Sequence, residues 1–233
     1  MATPVLLIHG SAADHTTWSI QLHSPVLAAR FSLTAYDRPL LDTVEQQADV
    51  ALTYLEQPAI VVGSSFGAVI ALEVIRRRPQ LGAVLIEPPM GATDDAPAAP
   101  AAFLAEYDRR AAREGGPAAA EFFLRTVLGD TAFERMPKAY RDRATQKYAE
   151  IRADSAALIA YKPRYGELAR VQTPVLLLGG DRSAPYFRPT LEALARALPK
   201  ARLEIVPAAG HMLHAEASRT FAQLLFAFAD EIA

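Results

Sequence analysis

The chain has 233 residues, of which 51% are hydrophobic and 21% are charged, and its formal net charge is −2. This composition is typical of a globular protein with a sizeable core. The near-neutral charge argues against nucleic acid as a partner, and the lack of cysteine excludes disulfides, thiolate nucleophiles and cysteine-ligated metals. Because neither a signal peptide nor a membrane-spanning apolar run is recognisable, we expect a cytoplasmic protein that does not associate with membranes.

Six short apolar segments alternate with helical segments along most of the chain. Each apolar segment has four or five residues between Gly, Pro, Asp or Glu, which is typical of strands buried on both faces of a parallel sheet. The predicted strands are Val5–Ile8, Phe31–Ala35, Ala59–Val62, Ala83–Ile86, Val175–Leu178 and Leu203–Val206. The predicted helices between them are Trp18–Ala29, Thr43–Glu56, Phe66–Arg78, Arg188–Leu198 and Ala215–Glu231. The alternation predicts an α/β fold with helices flanking a parallel sheet.

The interval from Pro88 to about Gln172 interrupts this alternation, because it contains no convincing strand. An Ala/Pro/Asp-rich linker at residues 91–101 is followed by four predicted helices. These are Ala102–Arg113, Pro117–Leu128, Lys138–Arg152 and Ser155–Tyr161. We interpret residues 88–172 as a helical lid inserted into a core that is formed by residues 1–87 and 173–233.

The strongest chemical signal is the sequence Gly63-Ser64-Ser65-Phe66-Gly67, which fits the pattern G-x-S-x-G with Ser65 at its centre. The pattern has the right context, since a predicted strand precedes it and a predicted helix follows it. Such a sharp turn exposes the central serine, and the flanking glycines allow strand and helix to approach closely. Ser64 is the neighbouring alternative nucleophile, but it lies one position away from the pattern.

With this turn, three further segments resemble the motifs of the α/β-hydrolase family, in the family's order and over nearly the whole chain. They are Leu6-Leu7-Ile8-His9-Gly10, Leu176-Leu177-Leu178-Gly179-Gly180-Asp181 and Ala209-Gly210-His211. The resemblance implies a sheet of about six strands, because the chain begins on what would be the family's third strand. One departure is Asp37-Arg38-Pro39, which lacks the glycines that many members carry in this turn, so one wall of the pocket is expected to differ.

The resemblance implies a catalytic triad in which Ser65 attacks, His211 moves the proton and Asp181 orients the histidine. His211 follows a predicted strand through a short loop, at the sheet edge where Ser65 lies, and His214 is the alternative base. Glu87 is the alternative acid, since it directly follows the strand Ala83–Ile86 and some family members place the acid there.

The resemblance also implies an oxyanion hole made of backbone N–H groups. One donor is expected from Phe66, the residue after the nucleophile. The second is expected from the loop after Gly10, at Ser11 or at Ala12, and the sequence does not decide between these two. His9 is expected to support the turn structurally.

Five residues are candidates for lining the substrate pocket, namely His15, Phe122, Phe123, Tyr161 and Tyr186. An aromatic pocket suits a small hydrophobic ester or lactone. No metal-binding spacing and no glycine-rich phosphate loop is present, so we expect neither a metal nor a cofactor.

The sequence therefore predicts a serine hydrolase that cleaves a small carboxylic ester, lactone or thioester. A carbon–carbon bond hydrolase, an aminopeptidase or a cyclase with the same triad remains an alternative. So does a small-molecule binding protein with weak turnover. The oligomeric state is not specified by any feature of the sequence.

Overall fold

Six parallel strands form a single sheet in the computed structural model, which describes residues 2–96, 98 and 101–233. The strands are β1 (Thr3–Ile8), β2 (Phe31–Ala35), β3 (Ile60–Ser64), β4 (Gly82–Ile86), β5 (Val175–Gly180) and β6 (Ala201–Val206). Their order across the sheet is β2-β1-β3-β4-β5-β6. The predicted α/β class with about six parallel strands is confirmed.

The described residues also form thirteen α-helices and, at His15–Trp18, one short 3₁₀ helix. They are α1 (Ser19–Leu22), α2 (Pro25–Ala28), α3 (Val44–Thr53), α4 (Phe66–Arg77), α5 (Ala101–Glu114), α6 (Gly116–Leu128), α7 (Asp130–Arg135), α8 (Lys138–Gln146), α9 (Tyr148–Ala160), α10 (Tyr165–Leu168), α11 (Phe187–Ala197), α12 (Leu213–Glu216) and α13 (Ser218–Glu231). Within the described residues, none of these helices has the length and apolar character needed to cross a membrane.

The sheet separates two apolar layers, because successive residues of each strand point to opposite faces. In β1, Leu6 and Ile8 pack into one layer with α3 and α4, while Val5 and Leu7 pack into the other with Trp18 and α13. All five residues of β3 and of β4 are buried. This double burial explains why the predicted central strands Ala59–Val62 and Ala83–Ile86 are continuously apolar rather than alternating.

Helices α5–α10, which we call the helical insert, lie between β4 and β5 in the chain, and no described residue of this interval is in a strand. The insert has a small core of its own around Tyr107, Ala119, Ala120 and Ile151. Pro97, Ala99 and Pro100 of the predicted linker lie outside the described residues.

Several predicted helices are divided in the structure. The predicted helix Trp18–Ala29 breaks before Pro25, because proline has no N–H to continue the helix, and the Ser24 hydroxyl instead accepts a hydrogen bond from the Leu27 N–H. The predicted helices between 138 and 161 become α8 and α9 with a break at Lys147. Helices α7 and α10 were not predicted.

Candidate active site

Ser65 lies at the turn between β3 and α4, in a backbone conformation with φ 55° and ψ −124°. Such a conformation is strained for any residue with a side chain, and it projects the side chain away from the sheet. The flanking glycines are required by close contacts. A Cβ at Gly63 would lie 2.1 Å from the carbonyl oxygen of Gly67, and a Cβ at Gly67 would lie 2.2 Å from that of Ile8.

Glu87 occupies the equivalent position one strand away, directly after β4. Its φ of 44° is also unusual for a residue other than glycine, and its side chain is 1% exposed. One carboxylate oxygen lies 2.6 Å from Nδ1 of His211, and the other accepts a 2.7 Å hydrogen bond from the Gly180 N–H. Glu87 therefore holds one nitrogen of the His211 ring in place.

The imidazole of His211 is also fixed by stacking. The ring of Phe187 lies parallel to it, with 4.4 Å between the centroids and 11° between the planes. His211 and Ser65 line the same cavity, although no direct hydrogen bond joins the two side chains in the described structure. A neutral histidine that donates through Nδ1 to a carboxylate leaves Nε2 free to accept a proton.

Contrary to the expectation from the sequence, the structure brings the carboxylate of Glu87, and not that of Asp181, to His211. The prediction placed a turn after Leu178. Instead, Gly179 and Gly180 continue β5 and pair with Ile205 and Val206. This extension carries Asp181 beyond the level of the histidine, where its side chain is exposed to solvent.

The segment His9-Gly10-Ser11 lies against the Ser65 turn. A Cβ at Gly10 would be 2.9 Å from the Ser65 Cβ and 3.6 Å from its Oγ, so only glycine allows this approach. Burial and the neighbouring Arg38 lower the pKa of His9 to about 3, so its ring is neutral at physiological pH. His9 Nδ1 donates to the Gly10 carbonyl at 2.8 Å and Nε2 accepts from the Arg38 N–H at 3.1 Å. His9 thus supports the turn.

The unusual segment at Arg38 joins this turn to the helical insert. The guanidinium of Arg38 donates to the carbonyl oxygens of His9 and Gly10, at 3.1 and 3.2 Å. It also makes a bidentate ion pair with Asp154 of α9, with N–O distances of 2.7 and 3.2 Å, and both side chains are 4% exposed. The Ser11 hydroxyl donates to the same carboxylate at 2.7 Å.

Two cavities reach Ser65 between the sheet edge and the helical insert. The larger, of about 680 Å³, is mainly apolar and is lined by Met90, Phe103, Phe123, Leu158, Tyr186 and Phe187 among others. The smaller, of about 120 Å³, contains His211 and is lined towards the insert by Phe123, Leu124, Met136 and Tyr140. Ser11, Ser65, Phe123 and Val127 line both cavities, so the predicted nucleophile lies where they meet.

Of the five predicted pocket residues, Phe123 and Tyr186 line these cavities and three do not. Phe122 stacks on Phe103 within the insert, and the buried Tyr161 donates its hydroxyl to Glu73. Sequence periodicity could not separate Phe122 from Phe123, because either could face the core.

His15 also lies outside both cavities. Its Nδ1 is 2.9 Å from the exposed Asp37. Asp14, His15 and Asp37 bring their potential metal-ligand atoms within 4.8 Å of one another. Asp14 Oδ1 also accepts a hydrogen bond from the Thr16 N–H, at 3.0 Å.

His214, the alternative base, is 1% exposed and its ring lies 4.4 Å from that of Trp18. Burial and the neighbouring His211 lower its pKa to about 3. His214 also lines the smaller cavity. It has no carboxylate partner in the described structure, so its environment differs from that of His211.

Comparison with known proteins extends these observations. The model of the alpha/beta hydrolase family matches residues 5–224. The fold is similar to that of a thermophilic esterase from Thermogutta terrifontis, with 24% identity over 100% of this chain and 91% of that one and a TM-score of 0.79. It is also similar to an enol-lactonase from Burkholderia xenovorans LB400, with 20% identity over 98% and 91% of the two chains and a TM-score of 0.79.

A third similar structure is MenH from S. aureus, with 16% identity over 99% and 94% of the two chains and a TM-score of 0.80. Comparison with curated protein sequences gives no significant match. The structural likeness concerns the fold, while the family model covers nearly all of the sequence. The chain belongs to the alpha/beta hydrolase family.

Proposed function

We propose that this chain is a serine hydrolase that cleaves a small hydrophobic carboxylic ester, lactone or thioester through an acyl-enzyme on Ser65. One observation carries the proposal. Ser65, on its strained turn, lines the same cavity as His211, and Nδ1 of His211 is held by the buried carboxylate of Glu87. A serine, a histidine and an acid in this relation are what nucleophilic acyl transfer requires.

In the proposed mechanism, Ser65 Oγ attacks the carbonyl carbon of the substrate while its proton passes to Nε2 of His211. The tetrahedral intermediate then expels the leaving group, which takes that proton from His211. Water repeats the sequence on the acyl-enzyme, giving the carboxylic acid and free Ser65. Glu87 keeps the Nδ1–H tautomer of His211 and stabilises the imidazolium that forms in each half-reaction.

The negative charge on the substrate oxygen requires hydrogen-bond donors that are already in place. The N–H of Phe66 suits this role because it belongs to the first turn of α4, where backbone N–H groups have no partner within the helix. The second donor belongs to the segment after Gly10, which lies close against Ser65.

The larger cavity supports a hydrophobic substrate, since aromatic and aliphatic side chains form most of its wall. Phe103, Phe123, Val127 and Leu158 come from the helical insert, which supports a role for the insert as a lid that contributes to specificity. The similar esterase and enol-lactonase structures agree with carboxylic ester or lactone hydrolysis on this fold.

Labelling with a fluorophosphonate, followed by peptide mass spectrometry, tests the nucleophile without knowledge of the substrate. We expect one label, on Ser65, and turnover of p-nitrophenyl esters that varies with acyl length. Ser65→Ala should lose both. Ser64→Ala is the matched control, because Ser64 is the adjacent serine but is buried at the end of β3, and it should keep both. Absence of labelling in folded wild-type protein, or turnover by Ser65→Ala, would overturn the proposal.

A further inference from the structure

We infer that the buried ion pair between Arg38 and Asp154 positions the Ser11 N–H as the second oxyanion donor, so that the helical insert is needed to hold the oxyanion hole in shape. Both are positioning residues, since they act through the backbone of the turn and not on the substrate. The inference rests on the proposed serine hydrolase function.

The first step of the argument is the geometry of one peptide unit. The carbonyl of Gly10 and the N–H of Ser11 belong to the same planar trans peptide, in which they point in opposite directions. The Gly10 carbonyl accepts hydrogen bonds from Arg38 Nη2 and from His9 Nδ1. Fixing that oxygen on the Arg38 side directs the Ser11 N–H to the opposite side. The Gly10 turn lies against Ser65, and Ser11 lines both cavities that meet there.

The second step concerns what holds Arg38. Its guanidinium forms a bidentate pair with Asp154, a geometry that fixes orientation as well as distance. The guanidinium also lies 4.7 Å from the centre of the Phe66 ring. Arg38 therefore contacts the residues of both expected oxyanion donors, the Ser11 turn through its carbonyls and Phe66 through its ring.

The third step is the link to the insert. Asp154 lies on α9, the fifth of the six helices of the insert, and it accepts hydrogen bonds from the Ser11 hydroxyl and from the Arg38 guanidinium. Ser11 is thus held from two sides, its preceding carbonyl by Arg38 and its side chain by Asp154. These contacts favour Ser11 over Ala12 as the donor. They also give a role to the Asp37-Arg38-Pro39 segment. This segment departs from the family pattern, and the proposed triad does not explain that departure.

A double variant, Arg38→Met with Asp154→Leu, tests the inference. Replacing both members of a buried ion pair by apolar residues is often neutral for stability, whereas removing one leaves an unpaired buried charge. Loss of one oxyanion donor lowers kcat by about 10²–10³-fold. Because this variant displaces the donor without deleting it, we expect kcat for p-nitrophenyl butyrate to fall at least about tenfold, with KM within about threefold. Fluorophosphonate labelling of Ser65 should slow in parallel.

The control is Glu73→Gln with Arg76→Met, which removes a buried ion pair of α4 that lies outside both cavities and belongs to a network with Arg77, Arg164 and Glu167. Its kcat should stay within about twofold of the wild type. Arg38→Gln with Asp154→Asn provides a second test if the first double variant does not fold, since it removes both charges together and keeps polar side chains at both positions. It should also lower kcat with little change in KM.

The outcomes separate the two proposals. Wild-type protein that is not labelled on Ser65 would overturn the proposed function, and this inference with it. Labelled wild-type protein together with unchanged kcat and labelling rate in either folded double variant of Arg38 and Asp154 would overturn the inference alone. An equal loss of kcat in the control pair would also overturn it, because the effect would then be a general consequence of losing a buried ion pair.

Discussion

The Glu87 carboxylate has two fixed partners. For this reason, replacing the carboxylate by an amide should strongly reduce kcat. The Gly180 N–H donates to one oxygen and His211 Nδ1 faces the other. In Glu87→Gln, the amide oxygen must face Gly180, since the opposite orientation would set two donors against each other. The amide NH₂ then faces His211 and requires Nδ1 to accept. The ring is left protonated on Nε2, where it cannot take the proton of Ser65.

The size of the effect follows from this tautomer argument. The corresponding replacement of the triad aspartate by asparagine in the serine proteases lowers kcat by about 10⁴-fold through the wrong tautomer. We expect a loss of about 10²–10⁴-fold, which corresponds to about 3–5 kcal/mol of activation free energy at 1.36 kcal/mol per factor of ten. The measurement is kcat for an activated p-nitrophenyl ester, with thermal unfolding to show that the variant is folded.

Asp181→Asn is the control, because this exposed carboxylate lies one residue from Gly180 and was the acid expected from the sequence. Its kcat should stay within about twofold of the wild type. A large loss in Asp181→Asn together with nearly full activity in Glu87→Gln would refute the reasoning and restore the acid predicted from the sequence.

Two further predictions concern stability. Burial lowers the pKa of His9 and His214 to about 3, from about 6.5 in the unfolded chain. Between pH 6.5 and pH 3 the unfolded chain therefore binds more protons than the folded one. The free energy of unfolding falls as the pH drops through this range. At pH 5.5 each histidine should lower the free energy of unfolding by about 1.3 kcal/mol relative to pH 7. Urea unfolding of His214→Phe should therefore show about half of the pH dependence attributed to the pair, and an unchanged dependence would contradict this. Gly67→Ala should destabilise the fold by about 3 kcal/mol or more, because its Cβ would meet the Ile8 carbonyl, whereas Gly166→Ala, with no atom within 4 Å, should stay within about 1 kcal/mol. Equal melting temperatures for the two alanine variants would contradict the prediction that a Cβ at position 67 destabilises the fold.

The sequence predicts the sheet well because double burial leaves a signal that local patterns record. Short continuous apolar segments between turn residues have few interpretations other than buried parallel strands. The Ser65 turn is equally local, since it needs two glycines at fixed spacing between a strand and a helix.

The choice between Asp181 and Glu87 as the partner of His211 could not be made from local patterns. Gly179 and Gly180 are typical of a turn, yet here they extend β5 because β6 continues beside them and offers Ile205 and Val206 as partners. This pairing depends on a segment more than twenty residues further along the chain. The pocket residues were hard to predict for a similar reason, since the faces of α6 and α9 are set by how the insert packs on the sheet edge.

The distribution of backbone strain provides an independent argument for where this chain performs its function. Five residues other than glycine have positive φ in the described structure. Four of them, Ala12, Ser65, Glu87 and Ala208, lie in the loops that follow β1, β3, β4 and β6, at the carboxyl edge of the sheet. These loops carry Ser11, Ser65, Glu87 and His211, the residues of the proposed site.

Strain of this kind costs roughly 1–3 kcal/mol at each residue, so four such positions amount to a cost of the same order as the net stability of a typical domain, about 5–15 kcal/mol. They persist because the surrounding structure fixes them. The N–H groups of Ser65 and Glu87 each donate to the neighbouring strand, at Ile86 and Leu178, and so extend the ladders between the buried central strands β3, β4 and β5. A glycine at Glu87 would adopt this backbone at less cost but would lack the carboxylate that holds His211. The sheet thus accommodates strained residues at its carboxyl edge, where the proposed chemistry requires them.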